Sequence, residues 1–156
     1  MELSQALYTT RAMRRVTTEP IPDEVMAKLL DAAVRAPSGG NTQKWRFLIL
    51  TDQAKKTALQ KIYSEALTDL NATQYKPMMD LIANGDPNDP EVIQVKKTYA
   101  SGRWLADNLD KVPTLLFAWG KPNGESSIFP ALWSLQLAAT AEGIGTSLTT
   151  LLFKKH

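Results

Sequence analysis

Apolar positions along the chain follow two rhythms, one with helical spacing and one of short unbroken runs. Val25, Leu29, Leu30, Ala33 and Val34 mark one face of a helix through Asp23–Arg35. Pro22 can sit in its first turn, and Pro37 with Gly39-Gly40 ends it. Trp45–Leu50, a run of aromatic and branched residues, predicts a buried strand. Leu59, Ile62, Tyr63, Ala66 and Leu70 then line one side of a charged helix over Gln53–Leu70. Weaker helical patterns at Tyr75–Ala83 and Glu91–Asn108 flank a loop, Asn84-Gly85-Asp86-Pro87-Asn88-Asp89-Pro90, whose composition is turn chemistry.

Pro113–Trp119 predicts a second buried strand, with Gly120–Gly124 as its exit turn. Ser126 or Ser127 is placed to cap a helix through Ala131–Glu142, and Gly143 to end it. Gly145–Phe153 is the candidate third strand. No internal repeat, low-complexity tract or linker interrupts the series, so residues 1–156 read as a single α+β domain.

Composition narrows the chemistry. Apolar residues at 44% and charged residues at 22% give an ordinary globular balance and argue against disorder. A net charge of +2 gives no reason to expect a nucleic-acid partner. With no cysteine there is no disulfide, thiolate metal site or thiol nucleophile. The one histidine is the terminal His156, which argues against a Ser-His-Asp triad and a two-His metal site. Neither a signal-peptide core nor a membrane-length apolar run is seen, so a cytoplasmic protein is expected.

Three clusters can carry chemistry. In Arg11-Ala12-Met13-Arg14-Arg15 the first and fourth residues converge on one anion if the segment is a helical turn, and guanidinium forks match phosphate oxygens. A basic helix end is the plainer account of the same residues. In Ala36–Trp45 (APSGGNTQKW), two glycines let backbone approach a flat ligand, while Ser38, Asn41 and Gln43 offer uncharged donors and acceptors. That edge suits a heterocycle with amide-like groups; a helix-to-strand turn needing positive φ explains the glycines alone. The third is Ser127–Thr146, in which Gly143-x-Gly145 follows a helix and precedes a strand candidate, the reverse of the dinucleotide-binding order.

In order and spacing, RAMRR, APSGGNTQKW and SIFPALWSLQLAATAEGIGTSL resemble three segments of the FMN-dependent nitroreductase family. These are its N-terminal flavin-phosphate motif, its PSxxNxQPW loop and its long central helix, and the resemblance runs from about Leu3 onward. It implies a nitroreductase-like α+β fold with a mixed, mainly antiparallel sheet flanked by helices, in a homodimer with FMN at the subunit interface. By position, Arg11 would hold the phosphate and Arg14 the ribityl chain or the N1/O2 edge, with Ala12, Met13 and Arg15 completing the segment. Pro37, Ser38, Gly39, Asn41 and Gln43 would contact the cofactor from the partner subunit, Ser127 and Ile128 would sit near N5, and Arg103 would approach the pyrimidine edge.

The implied reaction is ping-pong, with hydride passing from NAD(P)H through flavin N5 to a nitroaromatic or quinone-type acceptor. The cofactor then carries the chemistry, which suits a chain without cysteine. The chain departs from the family pattern at Ala12, where Ser is common, at Thr10, often a further Arg, and at Lys44, usually Pro. Family members also continue past Lys154-Lys155-His156 with a segment that adds a basic phosphate contact, so the resemblance implies either a truncated chain or an incomplete cofactor site. The alternative function is a dimer that binds or sequesters FMN with little or no turnover.

Overall fold

The computed structural model describes residues 1–154; His156 therefore lies outside the described residues. Within them, the elements run α1 (Leu3–Thr9), α2 (Asp23–Val34), β1 (Arg46–Leu50), α3 (Gln53–Ala72), α4 (Lys76–Asn84), α5 (Pro90–Asn108), β2 (Leu115–Trp119) and α6 (Glu125–Ala141), with short 3-10 turns between. They group into two compact units: Met1–Thr51 with Pro113–Ser147, and Asp52–Val112 with the stretch from Leu148.

In the first unit α2 packs on α6. Asp23 and Glu24 place negative charge at the positive end of α2. Leu29 and Ala33 meet Ala131, Leu135 and Ala139, and Trp45 closes this cluster. Ala33, Ala131 and Ala139 are fully buried, and their small side chains allow the two helix backbones to approach closely. Phe47 and Leu116 pack against the cluster from the strands. β1 and β2 are antiparallel, in register from Arg46↔Trp119 to Leu50↔Leu115.

Three expectations change here. Trp45 is buried just ahead of β1 rather than inside it. Ser126 and Ser127 lie within the first turn of α6, because Gly124 takes the cap position and its carbonyl accepts from Ser127 and Ile128 N–H. No third strand forms at Gly145–Phe153 within the described residues. Thr146 makes a single parallel bridge to Ala12, and Leu151–Lys154 turns into a 3-10 helix. A Cβ on Gly145 would lie 2.9 Å from that of Met13, so backbones pass there too closely for a ladder of side chains to continue.

In the second unit the weak sequence patterns are full helices. Asp52 caps α3 through Lys55 N–H, and Asp89 caps α5 through Glu91 N–H. Gln53, Lys56 and Gln60, on one face of α3, donate to the carbonyls of Asp110, Val112 and Ala106. They thereby satisfy carbonyl groups at and just beyond the end of α5. Lys56 is 5% exposed, and its ammonium reaches the Val112 carbonyl at 2.9 Å. No helix among the described residues is long and apolar enough to cross a membrane.

Candidate functional site

The loop between α2 and β1 is tied by its own side chains. Ser38 Oγ accepts from Gln43 N–H at 3.1 Å, Asn41 N–H donates to the Ser38 carbonyl at 2.8 Å, and Thr42 Oγ1 donates to the Gly39 carbonyl at 3.1 Å. This tight wrap drives Gly40, Asn41 and Gln43 to φ of 61°, 51° and 47°. Glycine adopts that conformation freely and asparagine tolerates it, but glutamine there stores strain of order 1 kcal/mol. Gln43 Nε2 also donates to Asn41 Oδ1 at 2.9 Å, a local reason for two amides two residues apart. Asn41 Nδ2 and Gln43 Oε1 take no protein partner among the described residues.

Gly39 N–H donates to Ser127 Oγ at 3.1 Å, joining this loop to the first turn of α6. Around the junction lies a cavity of about 160 Å³, walled by residues of the 38–45 stretch and the 120–128 stretch. Ser38, Gly39, Ser127 and Ile128, four of the expected contact residues, line it together. Pro37, Asn41 and Gln43 are exposed on the same loop but outside that lining. Sequence reasoning does not point to Thr42, Lys44, Trp45, Ser126 or the turn Gly120–Gly124 as lining. The one signal is Lys44 in a position usually held by proline, and the composition of Gly120–Gly124 signals only a turn.

The arginine cluster is built differently. α1 ends at Thr9, and Arg11–Arg15 are not helical, so the helical turn expected for Arg11 and Arg14 is corrected to an irregular segment. Met13 N–H donates to the Thr146 carbonyl at 2.7 Å, and the Thr10 and Thr140 hydroxyls bond at 2.8 Å. Arg11 is exposed and Arg14 half-buried, and no ion pair holds either among the described residues. The cluster is thus anchored at the C-terminal end of α6, whereas the cavity opens at its N-terminal end. From Ser127 to Thr140 is about 20 Å of helix axis at 1.5 Å per residue.

Arg103 lies in the second unit, on α5, where its guanidinium pairs with Asp107 at 2.9 Å. The hydrogen bond to Asp107 raises the Arg103 pKa above its ordinary value, against the opposing effect of burial.

Comparison with known proteins places these features in a family. The sequence model described as the nitroreductase family matches residues 7–155. An NADH dehydrogenase of Thermus thermophilus is 36% identical over 61 residues, covering 39% of this chain and 30% of that protein. The chain spans well under half the length of the curated relatives it matches. Among solved structures, an iodotyrosine deiodinase bound to FMN and 3-iodo-L-tyrosine superposes with a TM-score of 0.68 at 24% identity, covering 92% of this chain and 72% of the other. A nitroreductase with bound FMN from Bacteroides fragilis gives a TM-score of 0.61 at 19% identity, with 93% and 67% covered.

Proposed function

The chain belongs to the nitroreductase family, and from that premise we propose that it is an FMN-dependent oxidoreductase whose cofactor site is shared between two copies of the chain. The carrying observation is the Gly39–Ser127 hydrogen bond, which joins the loop to the first turn of α6 where Ser38, Gly39, Ser127 and Ile128 line one cavity. The donor set fits a flavin. Ser38, Asn41 and Gln43 offer hydroxyl and amide groups for a pyrimidine edge, and no carboxylate lines the cavity to oppose an electron-rich ring. FMN, when bound, supplies hydride exchange at N5, which would connect NAD(P)H to a nitroaromatic or quinone-type acceptor by ping-pong.

Two observations support a homodimer with the site at its interface. At about 160 Å³ the cavity falls short of the ~300–1,000 Å³ usual for small-molecule sites, so one chain supplies part of a site. α6 is apolar around most of its circumference and leaves Phe129 and Trp133, one turn apart, each 42% exposed. A second α6 packed antiparallel on that face would carry the partner's RAMRR segment toward this chain's cavity. In this reading Arg11 holds the phosphate and Arg14 places positive charge beside the N1/O2 edge, with Ala12, Met13 and Arg15 shaping the backbone between. The residues Pro37, Ser38, Gly39, Asn41 and Gln43 come from the other copy, and Ser127 and Ile128 lie near N5. The proposed setting is cytoplasmic.

The test is an FMN titration followed by NAD(P)H oxidation with a quinone. Arg14→Ala removes a charge-assisted contact worth about 1.5–3 kcal/mol and should weaken FMN binding roughly ten- to a hundredfold. Unchanged affinity overturns the role given to Arg14. Bound FMN without steady oxidation of NAD(P)H supports the FMN-sequestering alternative. Reductive dehalogenation is a second reading, favoured by the deiodinase superposition; iodide release from an iodophenol under reducing conditions would select it.

A further inference from the structure

Lys44 and Lys121 both line the cavity, and the lining contains no carboxylate. They arrive from segments far apart in sequence because of the strand register. The pairing of β1 with β2 ends at Arg46↔Trp119, and two residues further along each chain direction stand Lys44 and Lys121. The antiparallel pairing thus brings both segments to the same end of the sheet.

Neither ammonium is neutralised among the described residues. The ion pairs among the described residues lie elsewhere: Lys28 with Glu142, Arg35 with Asp31, Lys76 with Asp80, Arg103 with Asp107. At the cavity no ion pair is present among the described residues, and the wall adds the hydroxyls of Ser38 and Ser127, each of which accepts from a backbone N–H and keeps its own proton to donate. Two ammonium groups and several hydroxyls around a small concave surface are the donors an oxyanion needs.

We propose that Lys44 and Lys121 form an anion-selecting wall, and that the acceptor admitted to the cavity carries a carboxylate, sulfonate or phosphate beside its reducible group. This rests on the reading of the cavity as part of the flavin site, and it adds the charge class of the acceptor. The same anion chemistry has a second source, the phosphate of the cofactor itself, and the experiment separates the two.

The full chain is titrated with 4-nitrobenzoate and with neutral 4-nitrobenzamide, with and without FMN. Quenching of tryptophan fluorescence reports occupancy, since Trp45 is in the cavity wall. The expected result is tighter binding of the anion by about tenfold, fading with added salt, and loss of that preference in K44Q/K121Q. KM ratios for the two compounds, measured during NAD(P)H oxidation, should follow the same pattern. An equal preference in wild type and K44Q/K121Q overturns the proposal. So does loss of FMN from K44Q/K121Q, read from the visible spectrum, because the lysines would then serve the cofactor. If wild-type protein takes no FMN yet shows the lysine-dependent preference, the anion site stands and the flavin reading falls.

Discussion

The two ends of α6 are finished in opposite ways. At its C-terminal end nearly every polar group is closed off. Gly143 takes φ of 76°, Ile144 N–H bonds the Ala139 carbonyl at 2.8 Å, Gly143 N–H bonds that of Thr140, and Thr10 and Thr146 tie the preceding chain alongside. This is a complete Schellman ending with its hydrophobic contact, Ile144 packing against the core. At the N-terminal end no side chain caps the helix, Pro130 removes the donor that would meet the Ser126 carbonyl, and a cavity opens between lysines and hydroxyls. One end is built for stability and positions the arginine segment. The other leaves polar groups lining a cavity.

That contrast can be broken most strongly at Gly145. Gly145→Val drives a side chain into Met13 and should destabilise the protein by about 1–3 kcal/mol, read as a lower urea midpoint. Because it displaces Arg11 and Arg14 as well, FMN affinity should fall with it. Gly143→Ala forces a Cβ into left-handed backbone and should cost about 1 kcal/mol, with the cavity end unaffected in anion binding.

Changes at the open end should be smaller. Ser127→Ala removes the acceptor for Gly39 N–H and should cost about 0.5–1 kcal/mol, with faster amide exchange at Gly39. Gln43→Gly sharpens the comparison by reversing its sign. Relief of the positive φ should stabilise the fold by roughly 0.5 kcal/mol, while loss of the amide weakens FMN binding. Stabilisation by a change that harms binding marks the loop as strained for a ligand rather than for the fold.

Much of this architecture was legible in the sequence where one local signal dominated. α2, β1, α3 and β2 follow from periodicity or unbroken apolar runs, and Gly143 ends α6 as helix-capping chemistry requires. The start of α6 differs from the expected cap because the Ser127 hydroxyl bonds instead to Gly39, which only tertiary structure reveals. Gly145–Phe153 has strand-like composition, but its neighbour is a single bridging residue, and a strand without a ladder does not form. Of the candidate site, the Ser38–Gln43 loop and Ser127–Ile128 were visible as residue types, and their meeting at one cavity was not. The presence of Lys44 and Lys121 on one cavity wall was invisible before the strand pairing was known.

The central claim is that the arginine segment of one chain and the amide loop of another complete one cofactor site. It is tested most directly by mixing two variants that each bind no FMN alone, R11A/R14A and S38A/N41A, after confirming that both are folded. Random pairing of chains predicts recovery of about a quarter of the wild-type flavin, since half of the dimers are mixed and each holds one intact site. No recovery from a demonstrated mixed dimer would contradict the account.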